Sequence, residues 1–104
     1  MKRNDNQNED FEKRPCVYML RCKGGSLYTG WTNDFLKRLA AHQSGKGAKY
    51  TRSHLPVEPV YLEYLPDKIT ATQREAAIKK LRPEQKRKLL NADSNELKKI
   101  HNQT

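Results

Sequence analysis

The chain has 104 residues, 35% of them hydrophobic, and a mean hydropathy of −1.06, which suits one small domain with a modest core. No apolar run approaches the roughly 20 residues that span a bilayer, and the polar start "MKRNDNQNEDFEKRP" has no signal-peptide core. The net charge of +9 and pI near 9.7 point to a polyanionic partner. Nucleic acid comes before a membrane surface, because no helix pairs an aromatic face with a basic one.

Residues 1–14 are polar, with Lys2, Arg3, Lys13 and Arg14 offsetting Asp5, Glu9, Asp10 and Glu12. A disordered arm is expected there, so the charge excess belongs to residues 16–104. From Cys16 the pattern changes. "CVYMLRC" is a continuous run of strand formers ended by "KGG", as in a central strand covered on both faces. Cys16 and Cys22 stand about 20 Å apart in such a strand, too far for a disulfide. They read as two small reduced core residues of a cytoplasmic protein.

"SLYTGWT" follows as the second strand of a hairpin. Gly30 interrupts it with no side chain, which marks a close approach. A two-residue loop at Gly24-Gly25 would put Tyr18 and Tyr28 on opposite faces. A three-residue loop, Lys23-Gly24-Gly25, pairs Leu20 with Tyr28 and Tyr18 with Gly30, so the two tyrosines share a face. Three-residue hairpins favour glycine in the left-handed position, here Gly25, and this register is the one expected.

Thr32 or Asn33 then caps a helix, with Asp34 in its first turn and Phe35, Leu36, Leu39 and Ala40 as its apolar stripe. Gly45 and Gly47 end it. "AKYTRSHLP" is a basic connection with room for one short turn. Pro56 and Pro59 flank the start of a third strand, "VYLEYL", which reads as an edge. Asp67 caps a second helix, Arg82-Pro83 interrupts it, and Pro83 opens a third. The order ββαβαα gives an α+β fold, a three-stranded antiparallel sheet flanked by helices. The domain is expected over residues 15–91, followed by a polar tail over 92–104.

Three polar residues depart from the packing pattern. Arg38 and His42 are one turn apart and share a helix face. Glu75 lies along the stripe of Ala71 and Ile78, where a carboxylate must reach solvent, pair or bind a cation. A phenol or imidazole can take a proton from water, a guanidinium can stabilise phosphate charge, and a carboxylate can hold Mg²⁺. Tyr18, Tyr28, Arg38, His42 and Glu75 are therefore the parts of a phosphodiester site, and should converge on one concave basic surface.

At these residues the sequence resembles the GIY-YIG nuclease superfamily. "CVY" (Cys16–Tyr18) stands for the first signature, with cysteine in place of glycine, and "YTG" (Tyr28–Gly30) for the second. Arg38, His42 and Glu75 follow in the family's order. "GKGAKYTR" and "REAAIKKL" resemble its small stand-alone bacterial members. The resemblance implies a divalent-metal-dependent endonuclease using one Mg²⁺ or Mn²⁺ ion held by Glu75. It makes Tyr28 the general base or water-orienting group, assisted by His42. Arg38 would bind the scissile phosphate, and Tyr18 would form the site floor. Lys46, Lys49, Tyr50 and Arg52 would grip the backbone or stack on a base, with Gly30 as the structural glycine. Trp31 stands where excision-repair members carry lysine. An asparagine found in homing-type members has only Asn91 as a candidate.

A monomer acting on DNA rather than RNA is expected, delivered by a protein partner because no targeting domain is attached. The alternative is a nucleic-acid-binding module of the same fold with little or no catalysis. A third reading is an interaction domain whose basic segment "KKLRPEQKRKLL" meets an acidic protein.

Overall fold

The structure is a computed structural model that describes residues 11–97. Strand β1 (Cys16–Arg21) lies between β2 (Leu27–Thr32) and β3 (Glu58–Tyr64) in an antiparallel sheet of order β2-β1-β3. The hairpin has the three-residue loop: Tyr18 faces Gly30 and Leu20 faces Tyr28. Cys22 N–H donates to Ser26 O (2.9 Å) and Gly25 N–H to Cys22 O (2.9 Å). Both Gly24 (φ +91°) and Gly25 (φ +96°) are left-handed, so the loop uses two glycines where the pattern asks for one.

Helix α1 (Phe35–Gln43) covers the face carrying Tyr18, Leu20, Leu62 and Tyr64, with Phe35 at the centre of that core. A one-turn helix, α2 (Lys49–Arg52), follows it; the expected ββαβαα order leaves this turn out because four residues carry no periodicity. Helices α3 (Lys68–Lys79) and α4 (Pro83–Leu89) lie on the other side. There Ala71 and Ile78 bury against Val17, Met19 and Tyr61, with Trp31 and Leu89 at the margin. Covered on both faces, β1 is 0–1% exposed from Cys16 to Leu20, which is why it reads as an unbroken apolar run.

The caps follow local chemistry. Asp67 accepts from Thr70 N–H at 2.8 Å, and Pro83 is the first residue of α4. For α1 the cap is Asp34, whose Oδ1 accepts from Lys37 N–H at 3.3 Å; it is neither Thr32 nor Asn33. Thr32 is still in β2, and its hydroxyl accepts from Asp34 N–H at 3.2 Å, which aims the cap.

β3 is an edge strand with Pro59 opposite Leu20 at an irregularity in the pairing. Its outer edge is occupied by Asn95 and Glu96. Leu62 N–H donates to Asn95 Oδ1 (3.2 Å), Asn95 Nδ2 donates to Val60 O (3.0 Å), and Tyr64 N–H donates to Glu96 Oε2 (3.0 Å). Asn95 and Leu97 are buried. On the N-terminal side the Phe11 ring lies 5.5 Å from Phe35, and Glu12 N–H donates to the Tyr64 hydroxyl at 2.7 Å. The packing of the folded unit thus runs past residues 15 and 91, into the arm and tail that the sequence assigns to disorder and polarity. Residues 1–10 and 98–104 lie outside the described span.

Candidate active site

Tyr18 projects from the centre of β1 toward α1, where His42 meets it with Nε2 2.7 Å from the phenol oxygen. Both are buried, at 1% and 0% exposure. Gly30 makes this possible. A Cβ there would sit 2.5 Å from the Tyr18 oxygen and 2.7 Å from its Cζ. The approach that a bare Gly30 allows is therefore the ring of Tyr18 itself, not a helix, water or phosphate. Burial pushes the Tyr18 phenol up to about 12, against the opposing pull of a hydrogen bond from Arg38. Burial, then the neighbouring Arg38 charge, lowers His42 below its usual value and keeps the ring neutral at neutral pH.

The other nitrogen of His42, Nδ1, lies 2.8 Å from the Thr51 hydroxyl of α2. Thr51 is fully buried, and its Oγ1 donates to Ala48 O at 3.0 Å. Gly47 clears the space for this arrangement, since a Cβ on it would overlap His42 Nδ1. Arg38 and His42 thus share a helix face as expected, with His42 buried in the protein and Arg38 partly exposed at the cleft.

Tyr28, half-buried on β2, stands edge-on to His42 with ring centroids 5.2 Å apart, and lies 6.5 Å from Tyr18. Its ring stacks on Tyr50 (6.3 Å, 13°), which stacks on His54 (4.0 Å, 12°). The Tyr50 hydroxyl is held by Ser26 Oγ at 2.7 Å. Tyr50 is nonetheless 41% exposed. Lys46, Lys49 and Arg52 are exposed as well. A cleft of about 340 Å³ opens beside Arg38, lined by Thr32, Asn33, Asp34, Lys37, Arg38 and Ala41.

Glu75 arrives differently. It belongs to α3, which packs on the sheet face opposite Tyr18, Tyr28 and His42. Successive helix residues are about 100° apart. Arg74 leans toward β3, bonding Glu63 at 2.9 Å, so Glu75, one residue on, leaves the helix in another direction. Its side chain is 19% exposed and pairs with Lys79 at 3.0 Å. Nearby, Lys68 Nζ stands 5.8 Å over the Trp31 ring, so a cation lies close to the position where the resemblance expects lysine.

Glu75 is the one carboxylate that the resemblance assigns to a cation. Among the described residues no three His, Cys, Asp or Glu side chains cluster around a metal-sized site, but Mg²⁺ needs only one or two carboxylates, completing its shell with water and substrate oxygens. The Lys79 pair is half-exposed on the lysine side and holds the carboxylate by only about 0.3–0.5 kcal/mol.

Tyr18, Tyr28, Arg38 and His42 are thus brought together from β1, β2 and α1, while Glu75 belongs to the helix on the opposite sheet face and pairs there with Lys79. Thr51, Gly47 and Ser26 are partners that sequence reading missed; the spacing of two glycines and a threonine after His42 was the available signal. A small antiparallel sheet presenting two tyrosines to a helical arginine and histidine is the arrangement that the sequence resemblance implies. Residues 14–88 match the model of the GIY-YIG catalytic domain, and the chain belongs to that family. It is 53% identical over 78 residues to a UPF0213 protein of Clostridium perfringens, covering 75% of this chain and 84% of that one. A UPF0213 protein of Streptococcus pneumoniae is 46% identical over 87 residues (82% and 88% covered). The solution NMR structure of a UPF0213 protein from Bacillus halodurans is 41% identical, with a TM-score of 0.51 over 77% of this chain and 85% of that one.

Proposed function

We propose that the protein is a divalent-metal-dependent endonuclease acting on nucleic acid, DNA before RNA. The observation that carries this reading is the packing of Tyr18, Tyr28, Arg38 and His42 into one cluster beside a cleft lined by Lys37 and Arg38. Arg38 holds the scissile phosphate and stabilises its developing charge. The Tyr28 hydroxyl orients the attacking water. His42, neutral and edge-on to Tyr28, packs against its ring and holds Tyr18 through Nε2. Tyr18 is too buried to meet solvent and positions His42 and Arg38. Glu75 would hold the divalent ion, which would supply charge neutralisation to the phosphate. Lys46, Lys49 and Arg52 bind backbone phosphates, and Tyr50 meets the substrate beside them.

A monomer working in the cytoplasm and delivered by a partner fits the buried free thiols of Cys16 and Cys22. No helix among the described residues is long and apolar enough to cross a membrane. The test is cleavage of single-stranded, duplex and branched DNA, and of RNA, with Mg²⁺ or Mn²⁺. Glu75→Ala and Tyr28→Phe should abolish cutting, and undiminished cutting by both would remove the assigned roles. The second reading, a binding module without chemistry, draws on the Glu75–Lys79 pair and the position of α3. It predicts salt-dependent binding that Glu75→Ala leaves intact, and no cutting by the wild type.

A further inference from the structure

Three hydrogen bonds run in line through His42, and counting their protons fixes the ring. Thr51 has one hydroxyl proton, and it is given to Ala48 O at 3.0 Å. The Thr51 oxygen is therefore an acceptor toward His42, so Nδ1, 2.8 Å away, must carry hydrogen. A neutral imidazole has one N–H, which leaves Nε2 as a lone pair facing the Tyr18 hydroxyl at 2.7 Å. The chain of donors then runs in one direction: Tyr18 O–H to Nε2, Nδ1–H to Thr51, Thr51 O–H to Ala48 O.

We infer that Thr51 is the positioning residue of the site: it locks His42 in the Nδ1–H tautomer, and so keeps Nε2 as the acceptor that holds the Tyr18 hydroxyl. The catalytic consequence rests on the nuclease reading; the tautomer does not. Several features serve this lock and nothing else in the fold requires them. Thr51 is fully buried in a four-residue helix whose other members are exposed. Gly47 has no left-handed dihedral to explain it, only the space a Cβ would take from His42. The Ala48 carbonyl, at the start of α2, is the proton sink that orients the threonine. Without the hydroxyl, the Nδ1–H would lose its acceptor in a buried setting, where an unpaired donor is costly. The ring would gain by moving its proton to Nε2, where it would oppose the Tyr18 proton.

The experiment is a long-range proton–nitrogen NMR correlation of the His42 ring in ¹⁵N-labelled wild type, Thr51→Ser and Thr51→Val at neutral pH. Wild type and Thr51→Ser should show a protonated Nδ1 and a bare Nε2. Thr51→Val should lose that pattern, with Nε2–H gaining population. A wild-type ring protonated on Nε2, or a Thr51→Val spectrum identical to wild type, overturns the inference. In cleavage assays, Thr51→Val should lower kcat with little change in KM, and Thr51→Ser should restore it. A wild type with the Nδ1–H ring that cuts nothing would overturn the nuclease reading and leave the tautomer lock standing.

Discussion

Replacing Gly30 by alanine perturbs the cluster with a single methyl. The new Cβ would lie 2.5 Å from the Tyr18 oxygen and 2.7 Å from Cζ, distances at which something must shift. The Tyr18 ring cannot swing away cheaply. It is 1% exposed, packs against Phe35 at 6.0 Å, and is tied to His42 at 2.7 Å. Overpacking a core costs about 1–3 kcal/mol, and breaking the Tyr18–His42 hydrogen bond adds about 0.5–1.5 kcal/mol. The expected loss is therefore about 2–4 kcal/mol, which lowers Tm by roughly 10 °C or more in a domain of this size. Urea unfolding of Gly30→Ala and Tyr18→Phe, singly and together, measures it. Phenylalanine removes the oxygen but not Cζ, so the cost of Gly30→Ala should shrink by about 1 kcal/mol in that background, within the range for touching residues. Additive effects, or a Gly30→Ala loss below about 0.5 kcal/mol, the scatter typical of neutral surface changes, would refute the reasoning.

Three further outcomes are expected. The lowered pKa of His42 means that the unfolded chain takes up its proton first as pH falls. The stabilisation is complete above the ordinary value of 6.5 and is lost as pH drops from there toward the folded pKa; urea midpoints from pH 8 to 5 should fall more steeply for wild type than for His42→Gln. Asn95→Ala strips partners from Val60 O, Leu62 N–H, Leu90 O and Leu97 N–H. It should cost about 2–4 kcal/mol by denaturant titration, since each abandoned buried group costs about 1–3 kcal/mol before relaxation. Replacing Lys49 and Arg52 by alanine should reduce the salt slope of duplex DNA binding by about 0.9 for each phosphate no longer neutralised, read by fluorescence anisotropy across a salt series.

The hairpin register was legible because it rests on local chemistry: two glycines in a three-residue loop admit one alignment, and that alignment sets Tyr18 opposite Gly30. The cap at Asp67 and the helix start at Pro83 were legible for the same reason. Asp34 was not, because Thr32 and Asn33 are equally good caps until the end of β2 fixes which residue turns first. The site was legible as a set of residue types but not as a network. Arg38 and His42 show only their shared helix face in sequence, whereas the partner of His42 lies 24 residues away on β1 and the one behind it on a single turn without periodicity. The clasp of Asn95 on β3 escaped notice because a lone buried asparagine in a polar tail looks like any exposed one until its four partners are in place.

The most direct test of the central claim is single-turnover cleavage of a labelled DNA substrate by wild type and Arg38→Ala in parallel, with Mg²⁺ or Mn²⁺ present. If the Tyr18–Tyr28–Arg38–His42 cluster is a phosphodiester-cleaving centre, wild type cuts. The variant, having lost the group that stabilises phosphate charge, is then slower by about 10²–10³-fold. Wild type that leaves every substrate intact, or two proteins that cut at the same rate, would contradict it.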